Sequence, residues 1–172
     1  MKVYHKKYIY IFLLILILTG CKNPFSPAYD TSEGGASSGI SDLKRIDGVF
    51  KNFQYAYTFK DTLIYGQLIS QDFIFTYRDY DLNYDVSWGR DEEMKTTYGL
   101  FKNSQRLDLI WNNIYLSSED SLTAMIVRGF NLTVTLSSID ILRVDGRVNL
   151  SLRKNPDTKK WIITRWTDES NF

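Results

Sequence analysis

Acid–base and nucleophilic chemistry has few side chains to draw on in this chain. The one histidine is His5 and the one cysteine is Cys21, so everything beyond residue 21 lacks both imidazole and thiol. A Ser-His-Asp or Cys-His arrangement is excluded there, and a zinc site would lack its usual ligands. Proton transfer would fall to Asp, Glu, Tyr or Lys with shifted pKa values. Asp72 stands where a strand begins and a base might sit, though an Asp in that place commonly serves a turn. Asp79, Asp81 and Asp85 form an acidic loop without the turn Gly or terminal Glu of a calcium hand, and it reads as solvated. No motif implies a cofactor or a metal.

A binding pocket is the other chemistry the residues allow. Tyr57, Phe75, Tyr77, Trp88 and Trp111 are candidate wall residues, although aromatics at helix or strand spacing commonly build plain core. Trp88 is the exception, in an irregular polar stretch where no period accounts for it. Arg128 is the one charge on an otherwise apolar strand face, and two readings stay open. It points into the pocket and fixes an anionic ligand, or a bulge at Val127-Arg128-Gly129 turns it to solvent.

These residues need elements to hold them, and the chain divides into three parts. Residues 1–20 carry Lys2, Lys6 and Lys7, then the apolar run Ile11–Leu18, then Thr19 and Gly20. This is the layout of an export signal, too short to span ~30 Å of hydrocarbon as a helix. Leu18-Thr19-Gly20-Cys21 resembles the bacterial lipobox, which implies a lipid on Cys21 and anchoring in a membrane of the cell envelope. Lys22 in the next position, by resemblance to enterobacterial sorting, implies the outer membrane. Residues 22–40, rich in Pro, Gly and Ser, cannot bury enough surface to hold a fold and read as a flexible tether with a reach of roughly 25 Å. Residues 41–172 are long enough for one domain with one core.

Without residues 1–20 the chain has 18 Lys and Arg against 20 Asp and Glu, a net charge of −2. No basic block appears, so nucleic acid is not an expected partner.

Leu43, Ile46, Phe50, Phe53 and Tyr57 recur at steps of three and four, which predicts a helix from about Ser41 to Lys60 with Ser41 as its cap. Gly48 inside it costs about 1 kcal/mol relative to Ala. Asp61 reads as the cap of a shorter second helix. Phe73, Phe75 and Tyr77 alternate in a strand. A third helix is expected from Arg90 to about Lys102, with Met94, Tyr98 and Phe101 as its stripe and Asp91, Glu92 and Glu93 complementing its dipole. Leu107, Leu109 and Trp111 start a long strand, and Leu122–Leu136 form another. A hairpin turning at Pro156-Asp157 closes the domain. Trp161 and Trp166 differ in parity and cannot share a face without a bulge.

The expected architecture is α+β: a cone-like curved antiparallel sheet with three helices packed on its concave face. The aromatic first helix, the strand 72–78 and the terminal Trp161-Ile162-Ile163-Thr164-Arg165-Trp166 strand resemble the nuclear transport factor 2-like superfamily, which includes ketosteroid-isomerase-like and SnoaL-like proteins. The resemblance covers most of residues 41–168. It implies a cone-shaped fold that hosts enzymes, binders and scaffolds. The catalytic trio of ketosteroid isomerases has no residue-by-residue match here. The favoured function is a non-catalytic, lipid-anchored binding or assembly module of the cell envelope, taking either a small apolar ligand in the cone or a protein partner, a second copy on the open sheet face included. The alternative is a metal-free isomerase, cyclase or hydratase using Asp or Tyr.

Overall fold

The computed structural model describes residues 40–169. The residues read as an export signal, Cys21 and the residues up to 39 read as a tether lie outside the described residues. Helix α1 (Ile46–Phe59) buries Val49, Phe50, Phe53, Ala56 and Tyr57 along one stripe. It begins five residues later than its periodicity predicts, because Arg45 is extended and acts as N-cap without a side-chain bond. Ser41 does not cap it. Instead the Ser41 N–H donates to Asn52 Oδ1 (2.6 Å), and Asn52 Nδ2 donates to the Ser41 carbonyl (2.8 Å). The buried Asn52 thereby pins the lead-in chain along the helix it precedes.

Lys60, left-handed at φ 56°, ends α1, and its N–H returns to the carbonyls of Ala56 and Tyr57. Helix α2 (Thr62–Leu68) follows at once, capped as expected by Asp61, whose carboxylate accepts from the N–H groups of Leu63 and Ile64 (both 2.9 Å).

Strand β1 (Ile69–Asp79) pairs antiparallel with β2 (Tyr84–Gly89). The stretch that reads as irregular is therefore half of a hairpin. Its turn is built by Asp79, which accepts from the Leu82 N–H (2.8 Å), and by Asn83 at φ 59°. Asp79 and Asp85 are thus structural: Asp85 pairs with Arg78 (3.0 Å), which also donates to Asn83 (2.6 Å). Helix α3 (Arg90–Asn103) matches its predicted span but not its predicted stripe. Tyr98 is exposed, and the buried residues are Glu93, Thr97 and Phe101, at four-residue steps.

Four long strands complete the sheet: β3 (Arg106–Glu119), β4 (Thr123–Thr135), β5 (Ile141–Lys154) and β6 (Trp161–Asp168). The spatial order is β2-β1-β6-β5-β4-β3. All neighbours are antiparallel except β1 and β6, which run parallel, so the sheet is mixed rather than antiparallel throughout. The cause is the position of β6, which returns along β5 and meets β1 in the same direction. Three helices on a curled, open six-stranded sheet make the α+β cone expected from the sequence.

Bulges on β3 and β6 shape this sheet. Opposite Arg128 the bulges lie on β3, where the register slips between Trp111 and Ile114 and again between Ile114 and Leu116. Strand β4 itself pairs with β5 without interruption from Thr123 to Thr135, which corrects the bulge expected at Val127-Arg128-Gly129. Gly129 serves the neighbouring strand instead. A Cβ there would meet Asn112 and Tyr115 side-chain atoms at 3.2 Å, so its absence admits the bulged strand. On β6 the register slips beside Ser151 and Leu152, leaving Thr164 as the extra residue. That slip resolves the parity conflict, since Trp161 and Trp166 are both buried. The closing turn is the predicted one, with Asn155 Oδ1 accepting from the N–H groups of Asp157 and Thr158.

Candidate functional site

The cone encloses a cavity of about 340 Å³ between α1, α3 and the inner face of the sheet. Phe53 and Tyr57 reach it from α1, Phe75 and Tyr77 from β1, Trp88 from β2, Trp111 from β3, Phe130 from β4 and Trp166 from β6. Strand alternation puts the β residues on the inner face. The rings hold one another. Phe75 stacks on Trp88 at 4.4 Å, and Trp166 meets Phe75 edge-on at 5.2 Å. Phe53 packs against Tyr57, Tyr65, Trp111 and Trp166 at 5.0–5.4 Å. Such contacts add about 0.5–1.5 kcal/mol each beyond area burial, so the wall is rigid around the space it leaves open.

The cavity's polar groups come from α1, α3 and the end of β6. Glu93, buried to 4 % exposure, accepts three hydrogen bonds. Tyr65 Oη (2.5 Å) and Thr97 Oγ1 (3.0 Å) donate to Oε1, and Trp88 Nε1 (2.8 Å) donates to Oε2. All three donors are neutral. Asp168, two residues beyond Trp166 on the same strand, also lines the cavity. Burial, then the charges of Glu93 and Asp168, push the Tyr57 hydroxyl well above the usual tyrosine range, against a hydrogen bond with Thr97. Tyr57 therefore keeps its proton. Tyr65 is pushed up likewise, first by burial, then by Tyr57 and Glu93. The indole N–H of Trp166 is buried and meets no acceptor among the described residues. Among the described residues no Lys or Arg lines the cavity.

Of the residues singled out from sequence, Tyr57, Phe75, Tyr77, Trp88 and Trp111 meet around this one space. Arg128 is not among the lining residues. Its Nε donates to the Asn112 carbonyl (3.0 Å), and its guanidinium lies 4.8 Å from the Phe50 ring centre and 5.8 Å from that of Trp111. It covers the outer edge of the aromatic wall, half-buried, with its pKa lowered by desolvation against the pull of Asp47. Arg128→Leu is expected to lower stability by about 1 kcal/mol, the worth of a partly exposed cation–π contact and one exposed hydrogen bond. A denaturant melt measures this, and a loss above about 3 kcal/mol would instead identify a buried counter-charge.

Sequence reasoning does not identify Glu93, Thr97 and Asp168 as cavity residues. Asp168 shares strand parity with Trp166, which is a usable signal. Glu93 gives one only when α3 is phased on Phe101, because residues 93, 97 and 101 then face inward together.

Asp72 lies apart from the cavity. Both of its oxygens accept from Arg153 at 3.0 Å, with each side chain more than half exposed. The hydrogen bonds from Arg153, more than its charge, hold the carboxyl at about 2, below the ordinary 3.8. A depressed carboxylate stabilises the fold above its unfolded pKa, and that contribution is lost as pH falls through about 2. Arg153→Ala is expected to return the Asp72 midpoint towards 3.8, read by carboxyl NMR titration. The stability change should be small, because solvent screens the pair. Among the described residues no three His, Cys, Asp or Glu side chains gather to hold a metal ion.

Neither a protein-family model nor a curated protein sequence matches the chain. Solved structures do match it. A nuclear transport factor 2-like superfamily protein from Salmonella enterica is 16 % identical, with a TM-score of 0.61 over 76 % of this chain and 92 % of that one. A candidate scytalone dehydratase from Novosphingobium aromaticivorans is 15 % identical, with a TM-score of 0.63 over 74 % and 82 %. A ketosteroid isomerase-like protein from Erwinia carotovora is 15 % identical, with a TM-score of 0.58 over 76 % and 96 %. The chain has the nuclear transport factor 2-like fold.

Proposed function

We propose that this protein binds a small, mainly apolar molecule in its cone and works as a lipid-tethered module of the cell envelope. The observation that carries the binding reading is the cavity itself: about 340 Å³ left open inside a wall of interlocked aromatic rings. Ligand sites commonly measure about 300–1,000 Å³, with apolar walls and a few placed polar groups. An apolar cavity of about 150 Å³ already takes up benzene, so this one has room for a two-ring molecule.

Binding rather than turnover fits the polar groups. Both Glu93 oxygens are engaged by protein donors, and Tyr57 holds its proton. The enzymatic alternative rests on Asp168 near Tyr57 within the cavity and on neighbours named for dehydratase or isomerase-like proteins.

The test is direct. Naphthalene should quench the fluorescence of the cavity tryptophans in a saturable way. Leu132→Trp, which fills the cavity from β4, should abolish saturation while leaving a cooperative melt. Binding that survives Leu132→Trp would place the site elsewhere.

The tether rests on the charged and apolar residues 2–18 and on Cys21. Multiple acyl chains, at about 0.8 kcal/mol per buried methylene, anchor without any spanning helix. Cys21→Ser is expected to abolish incorporation of labelled palmitate, and label retained by that variant would refute the lipid anchor.

A further inference from the structure

A second concavity lies on the other face of the sheet, a groove of about 620 Å³. It is bordered by Tyr80 just beyond β1, Asn112 and Tyr115 on β3, Asn131 on β4, Arg147 on β5 and Glu169 just beyond β6. Phe130 and Leu132 face the cone, so by alternation Gly129 and Asn131 point outward. Arg147 and Asp145 stand directly opposite them on β5 and share that outer face.

The bulges on β3 build this groove. Residues 112 and 115 differ in parity, so a regular strand would send them to opposite faces. The register slips bring both against Gly129, where a Cβ would meet Asn112 Cβ and the Tyr115 ring, each at 3.2 Å. The Arg128 Nε bond to the Asn112 carbonyl (3.0 Å) fastens the bulged segment. Bulges commonly re-aim side chains beside functional sites.

The rim combines open rings with planar polar groups. Tyr80 and Tyr115 are 65 % and 64 % exposed, so each offers ring surface to a ligand. Asn112 Nδ2 donates to Asn131 Oδ1 (2.6 Å), and both amides keep further donor and acceptor capacity. Arg147 lies 5.7 Å from the Tyr115 ring centre and 3.5 Å from Glu169. Among the described residues the lining charges are two acids and one base, so an anion gains little here. An apolar ligand would strip water from the rim without replacing its hydrogen bonds. A sugar ring meets both demands. Its C–H face lies on an aromatic ring, while its neighbouring hydroxyls bind amide, carboxylate and guanidinium edges in pairs.

We propose that this outer groove binds a neutral oligosaccharide, with Tyr115 as the stacking platform and Asn112, Asn131, Asp145 and Arg147 taking its hydroxyls. The site is separate from the cone and independent of what the cone holds.

Maltotriose, cellotriose, mannotriose and triacetylchitotriose, which vary in linkage and hydroxyl orientation, are titrated calorimetrically into the full chain. A polyoxyethylene detergent holds the protein, since an alkyl maltoside would itself present sugar. At least one trisaccharide should bind saturably with a Kd below about 1 mM. Tyr115→Ala and Asp145→Ala, each first checked for a cooperative melt, should weaken that affinity at least about tenfold. Arg153→Ala, further along β5, should leave it intact. Saturable binding by none of the trisaccharides overturns the proposal. Affinity unchanged in both groove variants puts the sugar elsewhere and overturns it too. A dimer in light scattering that Tyr115→Ala returns to monomer would give the groove to a second copy instead.

Discussion

Glu93→Ala is expected to remove about 3–5 kcal/mol of folding stability. The change deletes the acceptor for the Tyr65 hydroxyl, the Thr97 hydroxyl and the Trp88 indole N–H together. Tyr65 is 0 % and Thr97 3 % exposed, so neither regains water. A buried donor left without a partner costs about 1–3 kcal/mol. The total falls short of three such penalties for two reasons: Trp88 is only half-buried, and the alanine also relieves the burial of a charge. Glu93→Gln keeps an oxygen for Tyr65 and Thr97 but turns an amide N–H₂ against the indole N–H. It should cost about 1–2 kcal/mol. Denaturant unfolding with an unchanged slope is the measurement. A loss below about 1 kcal/mol in the alanine variant would show that the cluster is not held through Glu93.

The second large effect reverses what helix propensity predicts. Alanine at an exposed helix position is favoured over glycine by about 1 kcal/mol, yet Gly48→Ala should destabilise by about 2–4 kcal/mol. A Cβ on residue 48 would stand 1.9 Å from the Asp42 carbonyl oxygen and 2.8 Å from its carbon. Both are backbone atoms, so no side chain can swing aside. Nor can the lead-in chain withdraw easily. Ser41 is bound twice by Asn52, and the Leu43 carbonyl accepts from the Trp161 N–H at 2.8 Å. Equilibrium unfolding decides the matter, and a stabilised Gly48→Ala variant would mean that the lead-in chain does not cross α1 as described.

The glycine shows where sequence reading stops. Spacing identifies α1 because Ile46, Phe50, Phe53 and Tyr57 must share a face, and nothing in that spacing reveals a second backbone segment lying against residue 48. The Asp61 cap and the Asn155 turn were legible because each is made by a side chain and the backbone two or three residues on. Trp161 and Trp166 announced a bulge by their parity, though only the pairing with β5 places it at Thr164. The bulges on β3 gave no such notice. They depend on Gly129 of the adjoining strand, and long-range partners leave no local mark.

The candidate site divides along the same line. Its aromatic wall was legible from alternation and helix stripes, which select large apolar side chains whatever they surround. The buried carboxylate was not, because Glu in a first helical turn is already accounted for by the helix dipole. Its burial follows from tertiary partners, Tyr65 from α2 and Trp88 from β2, whose polar tips needed an acceptor.

The parallel pairing of β1 with β6 carries a consequence for timing. The sixth strand in chain order lies in the interior of the sheet, with β1 on one side and β5 on the other. Until Trp161–Asp168 has left the ribosome, the β1–β2 hairpin and the β3–β4–β5 meander have no strand to join them, and the aromatic wall lacks Trp166. Pairings this distant in sequence are slow to form. Most of the polypeptide must therefore be made before the sheet can close, so the two halves wait for the last strand rather than folding one after the other.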